Sequence, residues 1–364
     1  VTAIVRLTIE NKYPILIGDI LLSGRNTGKV TLNVPTVPNI HDLFPARSKF
    51  IPCSLHQKIA VLSDDFVIGW SGNYLNAKEV IRDLVGENKA EPLTKTSLNA
   101  FFQQLPPSIW EKDLGFLGFV RDSNGIAPFN YKAHMREYPN FGQVGFLGTG
   151  GEALENLLDQ FSVLPKARHG EPTGFQKSLA FASGIVGSLL TMELVNAQSL
   201  RDYFGAGYEI ASLIEGKFQK LGGIVFLFWI VDQADNQITV SSVPLHALSL
   251  DYSNDVLILH SVSFDTNTVN KSSQQSVFFI TPMTRLVSDE ELRAIKPPDL
   301  NQKLLCNFFW IRSGSEFQEI YARVDHRSEI NRGIIFHEEN NHIIVSVQKE
   351  FIQEAAEAIM KKAT

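Results

Sequence analysis

Thr2, Asp19 and Lys58 are the residues whose types raise a chemical question first. Thr2 stands one residue behind the start of the sequence, and Asp19 interrupts the apolar run "ILIGDILL"; a strand needs neither. A threonine hydroxyl is a poor nucleophile near neutral pH and reacts only with a base beside it. Taken singly, each position has a plain reading: Asp19 as a strand-end carboxylate, Lys58 as a solvated strand residue, Gly72 as a turn glycine. Other spacings fail as sites. "GRNTGKV" has one residue too few between its glycines for a phosphate loop, and a valine where magnesium needs a hydroxyl. "HEENNH" is spaced wrongly for a zinc helix and falls at a turn between "GIIF" and "IIVSV". "GAG" at Gly205 follows no strand, which argues against a dinucleotide site. Cys53 and His56 are neighbours in sequence, which does not make a Cys–His dyad. No cofactor or metal is implied by these patterns.

A chain of 364 residues can bury a sizeable core and fits one large domain or two ordinary ones. Hydrophobic content of 44% beside 20% charged residues is that of a soluble globular protein. A formal charge of −6 argues against nucleic acid or an anionic membrane as partner. The longest apolar stretch, "IVFLFWIV" from Ile224, has strand length, so no window is expected to cross a membrane, which takes ~20 apolar residues. No basic segment followed by an apolar one opens the sequence, so no signal peptide is expected. Two cysteines, Cys53 and Cys306, make no disulfide framework, and the expected compartment is a reducing cytoplasm. Val1 is read as a GTG start codon, which suggests a bacterial gene.

The elements that must position these residues follow from periodicity. Ala3–Ile9 and Ile15–Leu22 read as a hairpin turning at Asn11–Pro14. A proline-rich loop over 33–52 comes next. "QKIAVLSDDFVIGWSG" reads as a second hairpin, turning at Ser63–Asp65. "YLNAKEVIRDLVG" reads as a helix with Leu75, Val80, Ile81 and Leu84 on one face and Gly86 at its end. Leu93–Leu105 is a further helix candidate, and "FLGFVRDSNGIAPFNYKA" a hairpin around Asp122–Gly125. "QVGFLGTGGEALENLLDQF" runs strand, glycine turn, helix. Leu179–Asn196 reads as a long helix, and the stretch 202–221 as holding another. From Gly223 the pattern is mostly strand, closed by a helix over Lys349–Lys361. Strands, helices, strands, helices and strands in that order predict an α+β fold with sheet layers covered by helix layers.

In this order the pieces resemble proteasome β-type subunits and the wider family of N-terminal-nucleophile hydrolases. Thr2 stands at the family's nucleophile and Asp19, in "ILIGDILLSG", at its aspartate. "QKIAVLSDDFVIGWSGNYLNAKEVIRDL" puts Lys58 on the catalytic lysine and Gly72 on the oxyanion glycine, at the family's spacing. Thr149 stands in place of a serine within Gly148-Thr149-Gly150. "LRDYFGAG" is similar to the family's Arg-Asp-x-x-Ser-Gly-Gly segment, with Asp202 at its aspartate.

The resemblance implies a four-layer αββα sandwich over 1–265; the pattern of 266–364, which finds no counterpart in the family, reads as a C-terminal extension of mostly strands with a terminal helix. It implies a threonine-type amide or peptide hydrolase acting on a peptide or protein. The α-amine of Thr2 would be the base, its pKa near ~7.7–8.0 leaving a large neutral fraction. Lys58 would depress that pKa and Asp19 would hold Lys58, while the Gly72 N–H would meet the oxyanion. Thr2 would have to become the first residue of the mature chain by loss of Val1, with no propeptide needed. A homo-oligomer is implied, with an unfoldase as candidate partner. Ser23, Trp70 and Tyr74 are the expected substrate-binding residues, Trp70 lining the primary specificity pocket. The sequence departs from the family at Gly205 and Ala206, where Ser and Gly are usual, and at Leu21, where Arg is usual. The retained Thr2, Asp19 and Lys58 favour an enzyme. The altered Gly205–Ala206 segment favours a proteasome-like scaffold without turnover, and a non-peptidase amidase of the same class stays open.

Overall fold

The structure is a computed structural model that describes residues 2–26, 31–45, 47–106, 113–161, 174–234, 237–264, 272–302, 304–313, 316–326 and 333–363. It is mixed α+β with several antiparallel sheets, and the chain divides into two compact units. Unit 1 comprises Val1–Val186, Ala197–Leu221 and Ile280–Asp289; unit 2 comprises Gly187–Asn196, Gly222–Phe279 and Glu290–Thr364. The main change of unit falls at Gly222.

In unit 1, strands β1 (Ile4–Ile9) and β2 (Tyr13–Asp19) form the expected hairpin, in register Ile4↔Gly18 to Ile9↔Tyr13. Its turn bends through Glu10 and Asn11, both with positive φ. β3 (Leu21–Arg25) pairs with β4 (Phe50–Leu55). β5 (Ile59–Ser63), β6 (Phe66–Gly72), β7 (Leu114–Asp122) and β8 (Gly125–Tyr131) form one antiparallel sheet in that order. β9 (His134–Tyr138), β10 (Gly142–Leu147), β11 (Tyr208–Ile214) and β12 (Lys217–Lys220) join the first hairpin in a second sheet, ordered β12-β11-β2-β1-β10-β9.

Strand side chains alternate across a sheet, so a sheet buried on both faces reads as a nearly continuous apolar run. That is why "AIVRLTI" and "FVIGW" carry few polar residues. Ile4, Leu16 and Ala211 of one sheet meet Ile59, Val67, Leu117 and Phe119 of the other in one apolar cluster. On the far face of the β5–β8 sheet, Phe66, Ile68 and Trp70 pack with Ala77, Val80, Ile81 and Leu84 of α1 (Tyr74–Ala90) and Leu98 and Phe102 of α2 (Lys95–Gln103). Helix α3 (Gly151–Phe161) lies against β1 and β10.

In unit 2, a sheet ordered β17-β16-β15-β13-β18-β19 carries the apolar stretch from Ile224, with β14 (Gln237–Val240) paired to β13 (Ile224–Ala234). The others are β15 (His246–Ser253), β16 (Val256–Phe264), β17 (Ser272–Ile280), β18 (Leu304–Ser313) and β19 (Glu316–His326). β13 and β18 run parallel, and β18 and β19 antiparallel. Val225, Leu227 and Trp229 pack with Phe351, Ala355 and Ile359 of the closing helix, Lys349–Ala363. The "HEENNH" segment spans the tip of a hairpin, Ile334–Glu339 with His342–Val347.

Three expectations are corrected. The stretch 202–221 holds the strands β11 and β12, not a long helix. "YEIASLI" pairs along β2 from Tyr208↔Asp19 to Ser212↔Ile15, and Glu215 and Gly216 turn the chain with positive φ. Leu75 is 71% exposed, because it precedes the buried face formed by Ala77, Val80, Ile81 and Leu84, and the helix runs past Gly86 to Ala90. One helix, Phe175–Asn196, is long and apolar enough to cross a membrane by length and composition, and 67% of its apolar window is buried inside the protein. "HALSLDYS" and "EFQEIYARVDH" are strands that periodicity did not single out.

Candidate functional site

The site is built around the end of β2. Asp19 and Ala3 exchange two hydrogen bonds: the Asp19 N–H donates to the Ala3 carbonyl at 3.0 Å, and the Ala3 N–H donates to Asp19 Oδ1 at 2.8 Å. The carboxylate is therefore fixed to the peptide that directly follows Thr2. Asp19 Oδ2 accepts from the N–H groups of Leu21, at 3.2 Å, and Gly205, at 3.0 Å. Lys58 Nζ donates to Asp19 Oδ1 at 2.8 Å, to Oδ2 at 3.0 Å and to the Leu21 carbonyl at 2.5 Å. Both side chains are wholly buried. Two opposite charges withdrawn from water are tolerable only when paired and hydrogen-bonded in this way. Burial pulls the Lys58 ammonium below the ordinary lysine range, and the charge and hydrogen bonds of Asp19, then the charge of Glu209, act against it.

Thr2, whose following peptide the pair holds, lines a cavity of about 740 Å³ whose walls also include Ser71, Gly72, Leu147, Gly148 and Thr149. Gly72 has φ +101°, and a Cβ there would lie 1.8 Å from the Asp113 carbonyl oxygen, so only glycine fits. The next residue, Asn73, caps α1 by accepting from the Asn76 N–H at 3.1 Å, which fixes the strand-to-helix turn at this wall. Gly148, with φ +81°, passes so close to Thr2 that a Cβ would lie 2.0 Å from the Thr2 carbonyl oxygen. That oxygen accepts from the Gly150 N–H at 3.0 Å, so the glycine turn clasps the backbone of Thr2. The same cavity has a charged edge, where His134 Nε2 meets Glu155 Oε1 at 2.7 Å.

Thr2, Gly72 and Thr149 thus share one cavity, with Asp19 and Lys58 buried together and tied to the Thr2–Ala3 peptide. The remaining expected residues are elsewhere. Asp202 is exposed, accepts from Gln198 Nε2 at 2.9 Å, and lines a separate cavity together with Thr149. Trp70 is 0% exposed and belongs to the core between the β5–β8 sheet and α1, its Nε1 donating to the Gln57 carbonyl at 3.2 Å. It does not line the Thr2 cavity, because in a strand its side chain points to the face opposite that of its neighbours. Tyr74 packs at a tilt against His56, ring centroids 4.4 Å apart, and against Trp70 at 5.9 Å. Ser23 lies on β3, its Oγ buried without a hydrogen bond. Val1 lies outside the described residues. Cys53 and Cys306 form no disulfide. Among the described residues, no group of three or more His, Cys, Asp or Glu could hold a metal ion.

The departures at Leu21 and Gly205 are filled by backbone. Leu21 serves the pair through its N–H and carbonyl, Gly205 through its N–H. Positive φ at Gly205, Ala206 and Gly207 folds this segment back, so that the Ile20 N–H donates to the carbonyls of Gly205, at 3.3 Å, and Gly207, at 3.2 Å. Sequence reasoning missed Glu209. Its signal was the same as that of Asp19, a lone carboxylate in an apolar strand, "YEIASLI".

No family model matches the chain, and no curated protein matches it. Among solved structures, it is similar to a eukaryotic HslV from Trypanosoma brucei, at 12% identity and a TM-score of 0.34, over 58% of this chain and 98% of that one. At that score the likeness carries no argument about this chain.

Proposed function

We propose that unit 1 is a threonine-type amide or peptide hydrolase with an αββα sandwich fold of the N-terminal-nucleophile class. The observation that carries this reading is the carboxylate of Asp19, whose Oδ1 joins Lys58 Nζ to the peptide N–H directly after Thr2, beside a cavity that Thr2 and Gly72 line. Val1 precedes Thr2 in the sequence, so the reading requires its removal. The freed α-amine then takes the Thr2 hydroxyl proton as Oγ1 attacks a substrate carbonyl carbon. The oxyanion that forms is met by the N–H of Gly72, a donor of a kind typically worth ~2.7–4 kcal/mol in the transition state. The amine passes its proton to the leaving nitrogen, and water hydrolyses the resulting ester. Peptide or protein substrates, a homo-oligomer, an unfoldase partner and a bacterial cytoplasmic setting belong to this proposal as its expected context.

Two observations favour the second reading, a scaffold without turnover. Asp202 is exposed and turned to a separate cavity, and Gly205–Ala206 offers no hydroxyl to the amine of Thr2. Intact mass of the native protein, followed by treatment with a threonine-directed electrophile, separates the two. A chain beginning at Thr2 and carrying one adduct on that residue supports the hydrolase. A retained residue ahead of Thr2 in most molecules, or a free Thr2 that takes no adduct, sinks it.

A further inference from the structure

We propose that Glu209 is a positioning residue for Lys58: it clamps the backbone at the lysine and supplies the second negative charge beside it. This rests on the hydrolase reading above. Glu209 lies on β11 and is wholly buried. A buried carboxylate is costly unless its oxygens are satisfied, and both are engaged. Oε2 accepts from the N–H of Lys58 at 2.6 Å and of Ile59 at 3.0 Å. Oε1 pairs with Lys220 Nζ at 2.8 Å. Lys220 also donates to Gln57 Oε1, and Gln57 Nε2 donates to the Ile280 carbonyl at 2.6 Å. Residues 57, 58 and 59 are therefore held from one side by a Glu209–Lys220–Gln57 network, while the Lys58 side chain is held by Asp19 from β2. One carboxylate fixes where the lysine starts and the other where it ends.

The charged and titratable groups around Lys58 come from several elements. Asp19 lies on β2, Glu209 on β11, and Lys220 on β12 behind Glu209. His56, two residues before, is pushed below its usual value by burial and by Lys58 and Lys78, which disfavours a positive charge there. The α-amine of Thr2 joins them once Val1 is removed. The hydrolase needs the amine neutral and Lys58 protonated, so activity is expected to fall on the alkaline side as Lys58 loses its proton. Glu209 is one of the charges that oppose that loss. A Glu209 that merely braced the fold would change stability and leave this alkaline limb where it is.

The test is the rate of Thr2 modification by a threonine-directed electrophile across pH, on the full processed chain. Glu209→Gln keeps the size of the side chain and an acceptor oxygen but removes the charge. Its alkaline limb is expected to move down by ~0.5 pH unit or more, and Glu209→Asp to return it part of the way. An unmoved limb in a folded Glu209→Gln overturns the proposal. If that variant does not fold, Glu209→Asp decides alone: its carboxylate, one methylene shorter, is drawn back from Lys58, so the limb is expected to move down by a smaller amount, and an unmoved limb overturns the proposal. Nitrogen-15 NMR titration of the Lys58 ammonium reads the same shift without turnover. A chain that takes no adduct therefore sinks the hydrolase reading alone, and the Lys58 midpoint still decides the role of Glu209, supporting it if lower in Glu209→Gln and rejecting it if unchanged.

Discussion

Asp19 grips Lys58 with both carboxylate oxygens, at 2.8 and 3.0 Å, and neither side chain reaches solvent. Pairs of this kind are weak evidence for stability as such, because apolar residues of equal volume often serve a core as well. Here the pair is anchored to the peptide after Thr2, to Leu21 and to Gly205, which ties a charge pair to one particular place beside a cavity. Breaking it from one side leaves an uncompensated buried charge.

Lys58→Ala is expected to lower unfolding stability by ~3–5 kcal/mol and to reduce electrophile labelling of Thr2 by ~10²–10⁴-fold. Asp19→Asn is expected to act in the same direction and less severely, since the amide can still accept from Ala3 or Lys58. Denaturant melts and labelling rates measured side by side check both, and labelling near the wild-type rate in either variant would reject the assigned roles.

Trp70→Ala is expected to cost ~3–5 kcal/mol of stability as a cavity in the sheet–helix core, with the Gln57 carbonyl losing a donor. Substrate preference should not change, because Trp70 does not line the Thr2 cavity. Melting curves beside a peptide-library profile decide this, and a changed profile with little loss of stability would return Trp70 to a pocket role.

Two glycines make a paired test. Gly72→Ala forces a side chain into φ +101° and against the Asp113 carbonyl, so a loss of at least ~1–3 kcal/mol is expected, together with a displaced cavity wall and slower labelling. Gly86→Ala adds a methyl inside α1 with nothing within 4 Å and is expected to stabilise by ~0.5–1 kcal/mol. Thermal melts of the two variants should move in opposite directions.

His246 in unit 2 predicts an acid weakness. Its imidazole is buried and bonded to Ser261 and Ser263, and burial lowers its pKa to about 4. The unfolded chain takes up a proton near the ordinary value of ~6.5, whereas the folded one does not until about 4. The unfolded state binds more protons across that window, so this group's contribution to stability is full above the window and falls as pH drops through it, by up to ~1.4 kcal/mol per pH unit. Denaturant midpoints measured between those limits should fall less steeply in His246→Gln, and an equal slope in the variant would reject the assignment.

The hairpins of unit 1 were legible because their alternation and turns are local: residues 4–9 with 13–19, and 59–63 with 66–72, need only their own apolar pattern and a few turn residues, whereas the break at Ile20 that ends β2 before the expected Leu22 was not. The strand-like run from Ile224, the closing helix and the glycine turn at 148–151 were legible for the same reason. Thr2, Asp19, Lys58 and Gly72 stood out as chemically awkward residue types in apolar surroundings, and the resemblance gave them an order. What the sequence could not determine depends on contacts between residues far apart in the chain. Asp19 draws a hydrogen bond from Gly205 across 186 positions, and Lys58 is held by Glu209 across 151. Backbone at Leu21 and Gly205 supports the pair where a side chain was expected, and no side-chain pattern encodes that. Burial likewise belongs to the tertiary structure: the same aromatic alternation that could have put Trp70 on a pocket wall puts it in the core, because which face of a strand is covered is decided by the helix that packs there. Asp202 lines a cavity other than the one Thr2 lines, a division that the backbone path through the positive-φ residues 205–207 decides and the local sequence pattern does not show.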